Sequence, residues 1–582
     1  MAKTGSLTVR ELLTFLCPEL ADSSAPPAWP PDAFAMAAVL ILESGIYLKV
    51  VSRWPPSGEE ADGCLPVPSD AWADRMGTIG SAWRAGVEQH RVPLEVRHWW
   101  KIVHSCLDRP LSELAQQAAP CHALLQLCAA ADEACQGVGF PFTGSDDYFN
   151  REAEKRLVTT FLEGSTLCRQ IHHSRAKVLP KAHTPQNGLT LASLTHNLAL
   201  WVTSDVVPHW YSVLPLTHQY LWASPSLNVL LVPWPEAITP TQFRPAEPAY
   251  GELANMPEEF KFFTYCKNAA CTPAQRRQGS KQLCQRLEDL YHEALALAGR
   301  IEMVILPELA LESQFESAEV YRWARSHDLF LVCGVAAESQ GGSPGRNYVT
   351  VGIPFSHSRF YSTIEQNKHH RWRLDRTQIV QYGLGGQLDP ESEWWEHTSS
   401  EARQLTFVSI LPWLSLSVLV CEDLARQEPV ARLVRTVGPN LVIALLMDGP
   451  QLEARWPARY ATVLADDPGC SVLTLTSVGM AELCRPQGRP ASRSVALWKD
   501  AKSGMARQIE LPAGYHGLVL NLTRQWDGEW TADGRYDGGR SSYPILGGVH
   551  PVRIPDAIPR AGSPSRGKRG RSGGKRRLRT AP

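Results

Sequence analysis

LSVLVCED, residues Leu416–Asp423, is the stretch on which the fold turns. Leu416–Val420 is an apolar run of strand length, too short to be a helix of ordinary size. Cys421 stands where that strand ends, and Glu422 and Asp423 follow at once. Two adjacent carboxylates are costly to bury without partners, so the chain is expected to turn here into a polar setting. In α/β sheets the carboxyl ends of strands are where ligands gather, because side chains there project from rigid elements into a crevice. A cysteine at such a point offers an accessible sulfur, and the next backbone N–H, that of Glu422, is free to face a developing oxyanion. The competing reading is an inert core thiol, the usual fate of a buried cysteine.

Moving outward, short β-like runs recur at Asn228–Val232, Met303–Leu306, Phe330–Val335, Tyr348–Ile353, Phe360–Ile364, Leu441–Leu446 and Ser471–Leu475. Helical stretches lie between several of them, the longest from Gln275 to Arg300. Strands alternating with helices imply an α/β domain, here spanning residues 226–550. Two more polar residues fall at or just past strand ends: Glu308 after Met303–Pro307, and Lys368 after Phe360–Asn367. A thiol attacks as thiolate, so a nearby glutamate can take its proton and an ammonium can stabilise both thiolate and tetrahedral intermediate. Taken alone, Glu308 reads equally well as an acid at a helix start, and Lys368 as one charge in a basic loop with His369, His370, Arg371 and Arg373.

In order, VILPE (304–308), QNKHHRW (366–372) and VLVCED (418–423), separated by 60 and then 53 residues, resemble the motifs of the carbon–nitrogen hydrolase, or nitrilase, superfamily. GRNYVTVG (345–352) and RYATVLADDPGCSVLTLTSVG (459–479) resemble flanking elements of the same family. The resemblance covers a little over half the chain. It implies an αββα sandwich, a Glu308–Lys368–Cys421 triad, thioester chemistry on a small amide, nitrile or carbamoyl substrate, and a homodimer. It also implies a second glutamate shortly after the lysine. Gln378 occupies one position for it, while Glu391, Glu393 and Glu396 lie in a stretch that reads as a loop; Glu422 joins Gln378, Glu391 and Glu393 as a substrate or oxyanion candidate. A cysteine activated in this way is expected to alkylate below the ordinary cysteine range. The segments VLPKAHTPQNGLTLASLTHNLAL (178–200) and DGPQLEARWPARYATVLADDPG (448–469) further resemble nitrilase domains joined to reverse transcriptases in bacterial phage defence. That likeness implies an antiviral role and a reverse transcriptase supplied by a separate chain.

The chain has 582 residues, too many for one ordinary core, and its 44% hydrophobic and 20% charged composition is that of a globular protein. Residues 1–177 read as an all-α N-terminal domain rich in tryptophan, and 178–225 as a linker that begins with turn residues and carries a helix. Fourteen cysteines are spread thinly, with no CxxC pair, so no disulfide framework, metal site or cofactor is expected. No apolar run is long enough to cross a bilayer and no signal-peptide core follows the first residues, which gives the expectation of a cytoplasmic protein. Residues 551–582 form a basic tail. From Arg560 to Arg579 there are nine basic residues and no acid, Lys568, Arg569, Arg571, Lys575, Arg576 and Arg577 among them. Without these nine, 49 basic residues face 59 acidic ones, a formal charge near −10. Such a tail is a solubilising appendage or a nucleic-acid contact. Two functions from different classes therefore stand: a working amidohydrolase, or a nitrilase-fold scaffold whose chemistry is lost and whose other parts serve protein or nucleic-acid assembly.

Overall fold

The computed structural model describes residues 7–50, 70–141, 147–203, 205–213, 224–246, 260–268, 271–338, 344–355, 361–401, 403–484, 491–502 and 504–555. The basic tail, with Lys568, Arg569, Arg571, Lys575, Arg576 and Arg577, lies outside them. Among the described residues the chain is mixed α/β, with two seven-stranded sheets. The first runs Tyr361–Asn367, Arg346–Pro354, Phe330–Ala337, Met303–Glu312, Ser226–Leu231, Gly517–Trp526, Ser542–Val552. The second runs Ala506–Glu510, Ser494–Lys499, Ser471–Leu475, Leu441–Leu445, Leu414–Val420, Gln404–Leu411, Val207–Ser212.

Strand alternation dictates how these sheets pack. Val229, Met303 and Ile305 of the first sheet share one core with Leu416, Val418, Ile443 and Leu473 of the second, so the sheets lie face to face. The residues between them point the other way. Leu230, Val304 and Leu306 meet Leu283, Leu287 and Leu290 of the helix Pro273–Ala298. Leu419, Val442 and Ala444 meet Leu433 and Val434 of Arg432–Val437 and Ala461 of Trp456–Asp466. Each such leucine or isoleucine, fully buried, contributes roughly 1.5–3 kcal/mol over leaving it exposed. No described helix is long and apolar enough to cross a membrane.

Among the described residues from Val9 to Glu163 the regular elements are helices. Their apolar faces, with Phe34, Trp83 and Trp100, belong to the same continuous core as the outer face of the second sheet. The segment expected to be a linker is different. Instead of ending in a helix, Val178–Trp201 carries two paired strands, Lys177–Pro180 and Leu198–Trp201, around a short 3-10 turn at Leu191–Leu194. All eight strand residues are buried, and all but Lys177 are apolar, so no period of two survives to distinguish strand from buried helix. Val207–Ser212 then joins the second sheet, parallel to Gln404–Leu411, so the sheet draws on residues well before 226.

One buried cation fastens the C-terminal hairpin to the helices. Arg535, 1% exposed, donates to Asp132 (3.0 Å), Glu133 (2.7 Å), Asp533 (3.2 Å) and the carbonyl of Leu194. Asp132 in turn accepts the backbone N–H groups of His196, Asn197 and Leu198. Arg535→Met should therefore leave several buried carboxylates without their cation and cost about 3–5 kcal/mol, read as a fall in the urea midpoint. A midpoint unchanged within error would mean that the hairpin is held by its apolar contacts alone.

Candidate functional site

Glu308 lies within Met303–Glu312, where pairing to the neighbouring strand breaks register between Leu306 and Leu311. Such an irregularity re-aims side chains, and here it is accompanied by a positive φ of 54° at Leu309. Lys368 directly follows the edge strand Tyr361–Asn367, and its N–H donates to the carbonyl of Asn347 at 2.8 Å. Cys421 follows Leu414–Val420 with φ of 47°. Of the non-glycine residues described, four have positive φ, and two of them, Leu309 and Cys421, are at this site. Each costs on the order of 1–3 kcal/mol and persists only where the surroundings hold it in place.

The three side chains are buried: Lys368 is 1% exposed, Glu308 2% and Cys421 3%. The Lys368 ammonium donates to Glu308 Oε1 at 2.8 Å and to Glu396 Oε2 at 2.7 Å. Asn347 Nδ2 bridges the same two carboxylates, at 2.7 Å to Glu308 Oε1 and 2.8 Å to Glu396 Oε1. The N–H of Met447 donates to Glu308 Oε2 at 2.6 Å, and that of Trp372 to Glu396 Oε2 at 3.1 Å. Two acids, one cation and one amide thus form a closed network, in which each carboxylate oxygen has a donor.

The charges follow from burial set against these bonds. Burial raises the Glu308 pKa, and Lys368 and Asn347 pull it partly back. Burial works against the Lys368 ammonium, but Glu308 and Glu396 outweigh it and hold its pKa well above the usual lysine value. The Cys421 thiol is pushed well above its ordinary range by burial and then by the charge of Glu308, with Lys368 opposing. Burial and the charge of Glu308 thus favour the thiol form of Cys421 over the thiolate.

The acidic stretch after Lys368 is resolved by strand geometry. Glu393–Glu396 is a strand, paired parallel to Phe260–Tyr265, and only alternate residues face inward. Trp394 and Glu396 are buried, while Glu393 turns outward to Arg373 at 2.5 Å. Glu391 is exposed and pairs with Arg376. Gln378 caps the short helix Arg376–Gln381 with Asp375. The Glu422 side chain pairs with Arg426 at 2.8 Å, which leaves only its backbone N–H as an oxyanion candidate. So Gln378, Glu391 and Glu393 do not meet the triad, and Glu396 does.

Other residues at the site had no motif to announce them. Gln366, 3% exposed, donates to the carbonyl of Val418 at 2.8 Å and accepts from the N–H of Thr406 at 2.9 Å. It ties the strand carrying Lys368 to the strand carrying Cys421, across the two sheets. Asp423 accepts the N–H groups of His369 and His370 and the His370 ring at 3.0 Å, which fixes the turn after Lys368. Beyond Met447, Asp448 Oδ1 accepts from Tyr382 (2.7 Å) and Arg455 (2.6 Å), and its buried Oδ2 has no partner among the described residues.

A glycine keeps the floor of the site close. A Cβ at Gly334, in Phe330–Ala337, would stand 2.5 Å from Glu308 Cα and 2.5 Å from the Pro307 carbonyl oxygen. Gly334→Ala should displace Glu308, and a misplacement near 1 Å costs a reaction on the order of a hundredfold. The comparison to make is the rate of any reaction at Cys421 against that of wild type, with folding checked by circular dichroism. An unaltered rate in a folded variant would show that Glu308 tolerates the shift.

Against solved structures, the chain matches an amidase from Nesterenkonia sp. at 13% identity, over 52% of this chain and 93% of that one, with a TM-score of 0.30. It matches Nit3 of Saccharomyces cerevisiae at 11% identity, over 51% and 89%, with a TM-score of 0.30. It also matches a carbon–nitrogen hydrolase from Helicobacter pylori at 13%, over 48% and 82%, with a TM-score of 0.28. The matches are to the nitrilase superfamily. Neither a family model nor a curated protein matches the sequence. With likeness this distant, activity has to be read from the geometry of the site.

Proposed function

We propose that the chain is a nitrilase-type αββα hydrolase that cleaves a non-peptide C–N bond of a small amide through a Cys421 thioester. The observation that carries this reading is the closed Glu308–Lys368–Glu396 network, with the thiol of Cys421 under the charges of Glu308 and Lys368 and held at a strained strand end.

In this mechanism Glu308 takes the Sγ proton as sulfur attacks the carbonyl carbon, so thiolate and acid form together. The oxyanion meets the Lys368 ammonium and the backbone N–H of Glu422. Collapse breaks the C–N bond, and Glu308 returns its proton to the departing nitrogen. Water then attacks the thioester, again giving its proton to Glu308, and the acid product leaves with the thiol restored. Glu396 holds the Lys368 ammonium in place and shares its field, which keeps the cation from collapsing onto the base alone. The spare carboxylate oxygen of Asp448 suits the N–H of an amide better than a nitrile, which offers no donor.

The test is intact-protein mass spectrometry after brief incubation with a panel of primary amides, nitriles and carbamoyl compounds. An acyl increment on Cys421 that disappears in Glu308→Gln is the expected result. If no member of the panel modifies Cys421, and the triad variants keep the biological activity, the scaffold reading replaces this one.

A further inference from the structure

A cleft of about 480 Å³ opens beside the segment that carries Lys368. Four cations line it from four stretches of chain: Lys261, Arg371, Arg403 and Arg426. Phe260 and Trp395 add an aromatic wall, stacked nearly parallel with ring centroids 4.4 Å apart. Among the described residues no acidic one lines the cleft. That composition is local and runs against the formal charge of the chain outside its tail, so it is not a by-product of a basic protein.

The cations are only partly used. Lys261 reaches Asp389 at 3.7 Å with both side chains well exposed, and Arg426 pairs with Glu422. Arg371 donates through Nε to the Thr398 carbonyl and lies over the Phe262 ring, with no carboxylate partner among the described residues. The Arg403 side chain has none either among the described residues. His369, also in the lining, is 1% exposed; one ring nitrogen bonds to the Gln404 carbonyl, and the other, Nδ1, is buried with no partner among the described residues.

We propose that this cleft binds a nucleoside phosphate. Arg371 and Arg403 take the phosphate oxygens, for which a planar guanidinium with parallel N–H donors is the fitting group. The aromatic wall takes the base, since stacking accepts any planar ring. A plain inorganic anion would leave that wall unused, and the volume is that of a pocket for one small molecule rather than a track for a strand. The site does not depend on the chemistry of Cys421. Arg371 is three residues beyond Lys368 and Arg426 five beyond Cys421, so an occupied cleft would press on both catalytic segments.

Calorimetric titration of the full chain with ADP, UDP, inorganic phosphate and a short oligothymidylate tests this, repeated on Arg403→Glu, Lys261→Glu and Cys421→Ala. ADP or UDP should bind at least tenfold more tightly than phosphate. Arg403→Glu, at an exposed position with no partner to lose, should weaken nucleotide binding at least tenfold. Cys421→Ala should bind as wild type does, which separates this site from the proposed hydrolase reaction. Nucleotide binding unchanged in both Arg403→Glu and Lys261→Glu overturns the proposal. So does phosphate bound as tightly as nucleotide, or oligothymidylate bound with no binding of ADP or UDP.

Discussion

Lys368→Met should abolish turnover and lower folding stability by about 3–5 kcal/mol together. Among the described residues the ammonium is the only cation bonded to either Glu308 or Glu396, and both carboxylates lie in the interior. Removing it leaves two like charges joined by one amide, Asn347, with only that amide and the N–H groups of Met447 and Trp372 against their desolvation and mutual repulsion. The methionine stem fills much the same volume, so the loss measures charge rather than a cavity. The sequence reading gives the ammonium a part in stabilising the tetrahedral intermediate; the geometry makes its removal a probe of folding as well.

Its pH dependence has a definite sign. Burial already raises the Glu308 pKa in the native state, and Lys368 is among the groups that pull it back. Without Lys368 the folded-state value rises further above the unfolded one. The native variant then binds more protons than the unfolded chain at pH above the ordinary carboxylate range, so its stability falls as pH rises through that window. Urea midpoints of variant and wild type should draw apart from mildly acid to neutral pH. Adding Glu396→Gln should recover part of the stability and none of the activity, because one buried charge is gone while the cation is still missing. A variant as stable as wild type across that range would rule out the buried ion network as described.

Why some of this was legible in the sequence, and some not, follows from how each residue is placed. Glu308 and Cys421 each follow an apolar run, and the contrast of a polar residue after a buried strand is visible in one dimension; Lys368 follows a polar edge-strand end and is placed by its order and spacing between the two. Glu396 is announced only by the alternation in EWWE, and the inward face of that strand is set by Phe260–Tyr265, over 130 residues earlier. Asn347 and Gln366 sit inside strands, where a polar residue ordinarily faces solvent; their partners lie on strands distant in sequence, Glu308 and Glu396 for Asn347 and Val418 and Thr406 for Gln366, which no local pattern records. The paired strands at 177–180 and 198–201 were hidden for the opposite reason, since burial on both faces erases periodicity. The cationic cleft draws on residues from 260 to 426 and has no motif at all.

On the proposed mechanism, in which nucleophile, base and cation act as one unit, Cys421→Ala and Cys421→Gly should both lose turnover, by on the order of 10⁶-fold. Their stabilities should differ in an unusual order. In ordinary backbone, glycine is less stable than alanine by roughly 0.5–1 kcal/mol, the cost of ordering a more flexible chain. At Cys421 φ is 47°, where any Cβ crowds the backbone and glycine does not. The strain is on the order of 1–3 kcal/mol, enough to outweigh the flexibility term. Cys421→Gly should thus unfold at higher urea than Cys421→Ala, although it has the smaller side chain in a buried site. The wild-type residue would then be one that the fold tolerates at a cost, in the place where a sulfur must stand at the end of a strand, under the charges of Glu308 and Lys368. If alanine proves the more stable of the two, the turn at Cys421 is not strained, and its backbone gives no reason to single this thiol out from the other buried cysteines.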